Sequence, residues 1–109
     1  MTSSPVPEVL LRSIVAEFEP QRVILFGSAA RGACGPDSDL DLLVVLDDDV
    51  PLEKLGAKAV YAARGGYRRP VDIIPCRASV LEKRARAIGS FAHIVLRDGV
   101  TVYERPNAA

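Results

Sequence analysis

The segment LFGSAARGACGPDSDLDLLVVLDDD, residues 25–49, constrains this chain more than any other. The apolar run RVILF meets Gly27-Ser28, and after the ten intervening residues 29–38, Asp39 and Asp41 flank Leu40 at the start of a second apolar run. Runs of this composition are strand formers that gain stability by burial, and a carboxylate at the mouth of one costs stability unless something binds it. Side chains alternate across a strand, so Asp39 and Asp41 share one face while Leu40 and Leu42 take the other. The two acids form a carboxylate pair in want of a counter-charge.

The rest of the chain supplies a frame for that pair. Val6, Leu10, Leu11, Ile14, Val15 and Phe18 recur at helical spacing up to Pro20, which predicts a first amphipathic helix. Residues 22–27 and 40–46 read as strands bounded by Gly, Pro and Asp. Leu52, Leu55, Ala59, Val60 and Ala63 form a second helical stripe closed by Gly65-Gly66, and PVDIIP, residues 70–75, reads as a third strand. Leu81, Ala85, Ile88, Ala92, Val95 and Leu96 predict one long helix running to Asp98-Gly99, followed by a last strand, VTVYE, over 100–104.

Connection lengths then restrict the topology. About a dozen residues between the first two strands are marginal for a helical crossover, which favours antiparallel pairing there. More than twenty residues with a helix join the second strand to the third, the usual condition for a parallel pair. The expectation is an α/β (α+β) domain spanning 1–109, a small mixed sheet flanked by helices in the order α-β-α-β-α-β-α-β. It brings the exit of strand one, the entrance of strand two and the start of strand three to one place.

Asp72 lies at that place, between Val71 and Ile73, and completes a set of three acids. Three close carboxylates repel, so without a cation at least one should titrate high. Hard oxygen ligands with positions left for water and phosphate suit Mg²⁺, and two such ions can clamp the attacking and leaving oxygens of a phosphoryl displacement. Gly27 permits close backbone approach, and Ser28 stands where a helix would begin, so its N–H and hydroxyl would face an anion at the positive helix end. Arg31, one turn on, would add charge to the same region.

Composition excludes other classes. Fourteen Lys and Arg balance fourteen Asp and Glu, which leaves no overall field for a phosphate polymer, and three Tyr, three Phe and no Trp offer little stacking surface. A nucleic acid partner is therefore disfavoured. No apolar run approaches the roughly 20 residues of a membrane span, and the first residues lack the pattern of a signal peptide; the expectation is a cytoplasmic chain. Cys34 and Cys76 have no zinc-like spacing, and His93, the sole histidine, has no nucleophile paired with it. The loop RGGYRRP, just upstream of Asp72, is a candidate contact for phosphate or a partner.

GSAARGACGPDSDLDLLV, with Gly27-Ser28, Asp39-Leu40-Asp41 and a later VDII containing Asp72, resembles the minimal nucleotidyltransferases of the DNA polymerase beta superfamily. The resemblance covers nearly the whole chain and implies the nucleotidyltransferase fold. It implies Mg²⁺-dependent transfer of a nucleoside monophosphate from an NTP, ATP above all, with Asp39 and Asp41 as metal ligands. Asp72 would be the third ligand and would help to deprotonate the attacking hydroxyl. Gly27 and Ser28 would hold the triphosphate, and Arg31 and Ser38 also fit the pattern. Members this short resemble the antitoxin half of toxin–antitoxin modules whose partner is a HEPN-domain ribonuclease, and some are similar to enzymes that add AMP to that partner. Two other readings stay open: an antitoxin that neutralises by contact alone, and a nucleotidyltransferase subunit acting on a small molecule.

Overall fold

A computed structural model describes residues 6–27 and 39–106. Helix α1 (Glu8–Phe18) buries Leu10, Ile14 and Phe18, one side of its cylinder at four-residue spacing. It stops where Glu19 turns left-handed (φ 47°) and returns its N–H to the Val15 carbonyl at 2.8 Å, one residue before Pro20. Strands β1 (Arg22–Phe26) and β2 (Leu40–Leu46) follow. A 3-10 turn, Leu52–Leu55, then precedes α2 (Ala57–Arg64), strand β3 (Val71–Arg77), helices α3 (Ala78–Ala85) and α4 (Phe91–Asp98), and strand β4 (Val100–Glu104).

The four strands form one sheet in the order β3-β2-β1-β4. β1 runs antiparallel to β2, and β2 runs parallel to β3, as the connection lengths predict; β1 also runs antiparallel to β4. β2 is central, and six of its seven residues are buried, because helices cover both sheet faces. A strand buried on both sides reads as a continuous apolar run, and Asp41 is its one interruption. On one face, Leu40, Leu42, Val44 and Leu46 pack with Val23, Leu25 and Ile73 beneath α1 and α2. On the other, Ile24, Leu43 and Val45 pack against Leu81 of α3 and Ala92 and Val95 of α4.

Three sequence expectations need correction. The long helix predicted over 81–96 is two helices, α3 and α4, separated by a turn in which Gly89 takes φ 86°. Ser90 caps α4 by accepting the His93 N–H at 3.1 Å and donates its hydroxyl to the Arg84 carbonyl at 2.9 Å; His93 Nδ1 in turn accepts the Gly89 N–H at 3.1 Å. The periodicity looked unbroken because both helices bury residues in the same cluster, so their apolar positions stay in phase across the turn. The second helical stripe is likewise broken, by Gly56, into the 3-10 turn and α2. β3 continues through Pro75 to Arg77 rather than ending at 75; as an edge strand it tolerates a residue without an N–H. The helix expected between β1 and β2 lies outside the described residues.

Two polar contacts fix the ends of the sheet. Asp47, just after β2, accepts from Arg105 at 2.9 and 3.1 Å and from Gln21 at 2.8 Å, and these hydrogen bonds, Arg105 first, hold its carboxyl below its ordinary pKa. At the opposite end of β2, the Leu40 N–H reaches the Pro70 carbonyl at 3.4 Å, which seats the loop before β3 beside the β2 entrance.

Candidate active site

The parallel register of β2 and β3 aligns Asp41 with Asp72, and the antiparallel register of β1 and β2 aligns Asp41 with Phe26. Adjacent strands lie about 4.8 Å apart, so the two carboxylates stand side by side on one rung of the sheet. Their neighbours Leu40, Leu42 and Ile73 belong to the core under α1 and α2, so the acids project on the α3/α4 face. Asp72 is exposed and Asp41 half-buried. Burial, the Asp72 charge, a side-chain hydrogen bond with Asp72 and the Asp39 charge, in that order, raise the Asp41 carboxyl above its ordinary pKa.

Gly27 closes the other side of Asp41. It follows β1 directly and takes φ 79°, a left-handed conformation that side chains rarely adopt. A Cβ placed on it would overlap the Asp41 carboxylate. The chain thus needs glycine here twice over, for its backbone angle and for the approach of backbone to carboxylate.

Asp41 and Asp72 are thus brought together, with Asp39 exposed at the β2 entrance and near enough to act on Asp41 through its charge. Ser28, Arg31, Ser38 and Cys34 lie outside the described residues. Among the described residues, no group of three or more His, Cys, Asp or Glu is closed around a position for an ion. The three acids expected from the sequence thus stand as Asp41 and Asp72 on one rung, with Asp39 at its edge. That donor set still fits Mg²⁺, which is commonly held by one or two carboxylates and completes its shell with water and substrate phosphates. The raised pKa of Asp41, from burial first and then from the Asp72 charge beside it, marks where a cation would relieve repulsion.

The glycine- and arginine-rich loop is more self-contained than its charge suggests. Arg64 donates to the Tyr67 carbonyl at 3.0 and 3.3 Å and to the Arg69 carbonyl at 3.2 Å, using its guanidinium to shape the turn into β3. Cys76 is half-buried, and burial pushes its thiol pKa up. His93 serves the α3–α4 turn.

Sequence reasoning missed an apolar cavity of about 360 Å³ between β3, α3 and α4. Its floor includes Leu43 and Ile74, which pair with each other in register one rung beyond Asp41 and Asp72 on the same face. Phe91 stands at its mouth, 55% exposed, and meets Phe26 edge-on with ring centroids 5.3 Å apart. The signal was present in α4, where Phe91 and Ile94 are apolar yet three apart on a flank that the core does not cover.

The family model described as a nucleotidyltransferase domain matches residues 9–93, most of the chain. The chain belongs to that family. Among solved structures this nucleotidyltransferase-domain protein is similar to a Sulfolobus solfataricus protein proposed to be a nucleotidyltransferase, with 20% identity over 89% of this chain and 76% of that one and a TM-score of 0.55. It is also similar to a chain in the crystal structure of a toxin–antitoxin with AMP-PNP, with 16% identity over 92% of this chain and 75% of that one and a TM-score of 0.58. At these identities the likeness carries the fold: a mixed four-stranded sheet with helices on both faces. No curated protein is similar enough in sequence to count as a relative. Among the described residues no helix is long and apolar enough to cross a membrane.

Proposed function

We propose that this nucleotidyltransferase-domain protein transfers a nucleoside monophosphate, AMP from ATP, to a hydroxyl of a partner protein, and that it acts as the antitoxin of a module whose toxin is a HEPN-domain protein. The observation that carries the reading is the carboxylate rung, Asp41 beside Asp72 with Gly27 closed against Asp41. Asp39, Asp41 and Asp72 would hold Mg²⁺, two ions in the full site. When bound, the metal supplies charge neutralisation for the triphosphate and the leaving pyrophosphate.

The chain's own groups divide the remaining work. Gly27 and Ser28 hold the triphosphate, a role in which Arg31 and Ser38 take part, and the bare Gly27 backbone lets phosphate oxygens come close to the acids. The partner's hydroxyl oxygen attacks the α-phosphorus in line, a new O–P bond forms, the bond to the β-phosphate oxygen breaks, and pyrophosphate leaves. Asp72, the more exposed member of the rung, accepts the hydroxyl proton. A carboxylate in open solvent at a strand end is accessible to a hydroxyl presented on a protein surface, which supports a macromolecular acceptor. The toxin–antitoxin structure with AMP-PNP supports the same direction, as a protein of this fold in that setting.

The test is intact-mass measurement of a HEPN-domain partner after incubation with this protein, ATP and Mg²⁺. The partner should gain mass in steps of one nucleoside monophosphate, and the steps should vanish with Asp72→Asn although the complex still forms. If no mass is added and Asp72→Asn silences the partner as well as wild type does, the contact-only antitoxin reading replaces this one.

A further inference from the structure

We infer that the apolar cavity between β3, α3 and α4 is the seat of the nucleobase, and that it holds the base by burial rather than by reading its edge. This rests on the proposed nucleotide chemistry and adds to it the location of the ring and the manner of its recognition. Continuity is the first argument. Leu43 and Ile74 form the cavity floor one rung past Asp41 and Asp72 on the same face, about 6.5 Å further along the strands. Phe91 lines both this cavity and a smaller hollow whose other walls include Gly27 and Phe26. A ligand with its phosphates at Gly27 and the carboxylates therefore has this larger apolar recess within reach, and Phe91 stands between it and the smaller hollow.

Chemistry is the second argument. A cavity of about 360 Å³ falls within the range of small-molecule sites, roughly 300–1,000 Å³, which are mostly apolar with a few polar groups. Leu43, Ile74, Pro75, Leu81 and Phe91 suit a flat ring, while Ser90 and Cys76 have little to offer a base edge. Ser90 Oγ already accepts from His93 and donates to the Arg84 carbonyl, and the Cys76 thiol lies against the Arg77 carbonyl at 3.5 Å. Arg84 is exposed at the rim and can lie over the ring or meet a phosphate. A pocket of this kind separates a nucleotide from a bare triphosphate strongly and adenine from guanine weakly.

Cys76 reports on the cavity directly. Maleimide labelling of Cys76, followed on its own peptide by mass spectrometry so that Cys34 does not interfere, is run with Mg²⁺ plus ATP and with Mg²⁺ plus inorganic tripolyphosphate. ATP should slow labelling about tenfold at saturation while tripolyphosphate leaves it unchanged. In parallel, Ala87→Trp, at an exposed position on the cavity rim, should raise the Kd for ATP about tenfold or more and leave that for tripolyphosphate alone. If both ligands bind yet ATP leaves Cys76 labelling unchanged, or Ala87→Trp weakens both alike, the base lies elsewhere and this inference fails while the nucleotidyl-transfer reading stands. Protection of Cys76 by the acceptor protein but not by ATP overturns it in favour of an acceptor side chain in the cavity. If neither ligand binds, the nucleotide reading itself fails and takes this inference with it.

Discussion

Replacing Gly27 with alanine separates the two demands that the site makes on that position. The backbone demand has a control elsewhere in the chain, because Gly66 adopts a similar left-handed angle, φ 88° against 79°, with nothing within 4 Å of where a Cβ would sit. A left-handed L-residue costs about 1–2 kcal/mol. In a domain of this size each kcal/mol lowers Tm by about 4–8 °C, so Gly66→Ala should lose about 4–16 °C. Gly27→Ala carries the same backbone cost and must also move the Asp41 carboxylate out of the new Cβ. Forcing a side chain off its rotamer adds about 0.5–1.5 kcal/mol, and the displaced carboxylate leaves Asp72. Differential scanning fluorimetry on both variants, with and without Mg²⁺ and ATP, reads the two parts separately. Both should be destabilised, Gly27→Ala by the larger amount, and only Gly27→Ala should lose the upward shift caused by Mg²⁺ with ATP. If Gly27→Ala keeps that shift at the size seen in Gly66→Ala, the contact between Gly27 and Asp41 has no part in nucleotide binding.

Asp41 gives the metal-free protein a pH signature. Because its native pKa is raised, its contribution to stability is present below the ordinary carboxylate range and is lost as pH rises through the raised value; Asp72→Asn should flatten that loss and lower the Asp41 titration seen by carboxyl NMR in chelator-treated protein. Asp41→Asn should abolish transfer, measured by nucleotide incorporation into the partner, yet raise the metal-free Tm near neutral pH by removing repulsion along the rung. Mg²⁺ and ATP together should raise the wild-type Tm by more than the sum of their separate shifts, since the proposed site gives metal and triphosphate shared ligands, and a strictly additive result would place them in different sites. Ser90→Ala removes the α4 cap and the bond to the Arg84 carbonyl, which together stabilise by about 1–2 kcal/mol; thermal unfolding should show a Tm lower by about 4–16 °C.

Local physics made the strands, the orientation of their pairs and the facing of the acids legible in the amino-acid order. Alternation is a property of the strand itself, so Asp41 had to face away from Leu40 and Leu42, and chain length between strands restricted which pairs could run parallel. What lay beyond that reach depends on contacts between residues far apart in the chain. Asp41 and Asp72 are 31 positions apart, and only the register of β2 on β3 decides that they meet on one rung rather than one residue out of step, where their side chains would take opposite faces. The approach of Gly27 to Asp41 depends in the same way on the register of β1. The break between α3 and α4 was hidden because both helices serve one buried cluster, so apolar spacing carried through a turn that hydrogen bonds of Ser90 and His93 hold in place. The cavity beside the rung shows along the chain only as the uncovered apolar flank of α4, Phe91 and Ile94: it is the space left when two short helices, joined at that turn, cover one end of a sheet incompletely. Spacing along the chain supplied the acids and their facing, and only packing across the sheet decided what lies next to them.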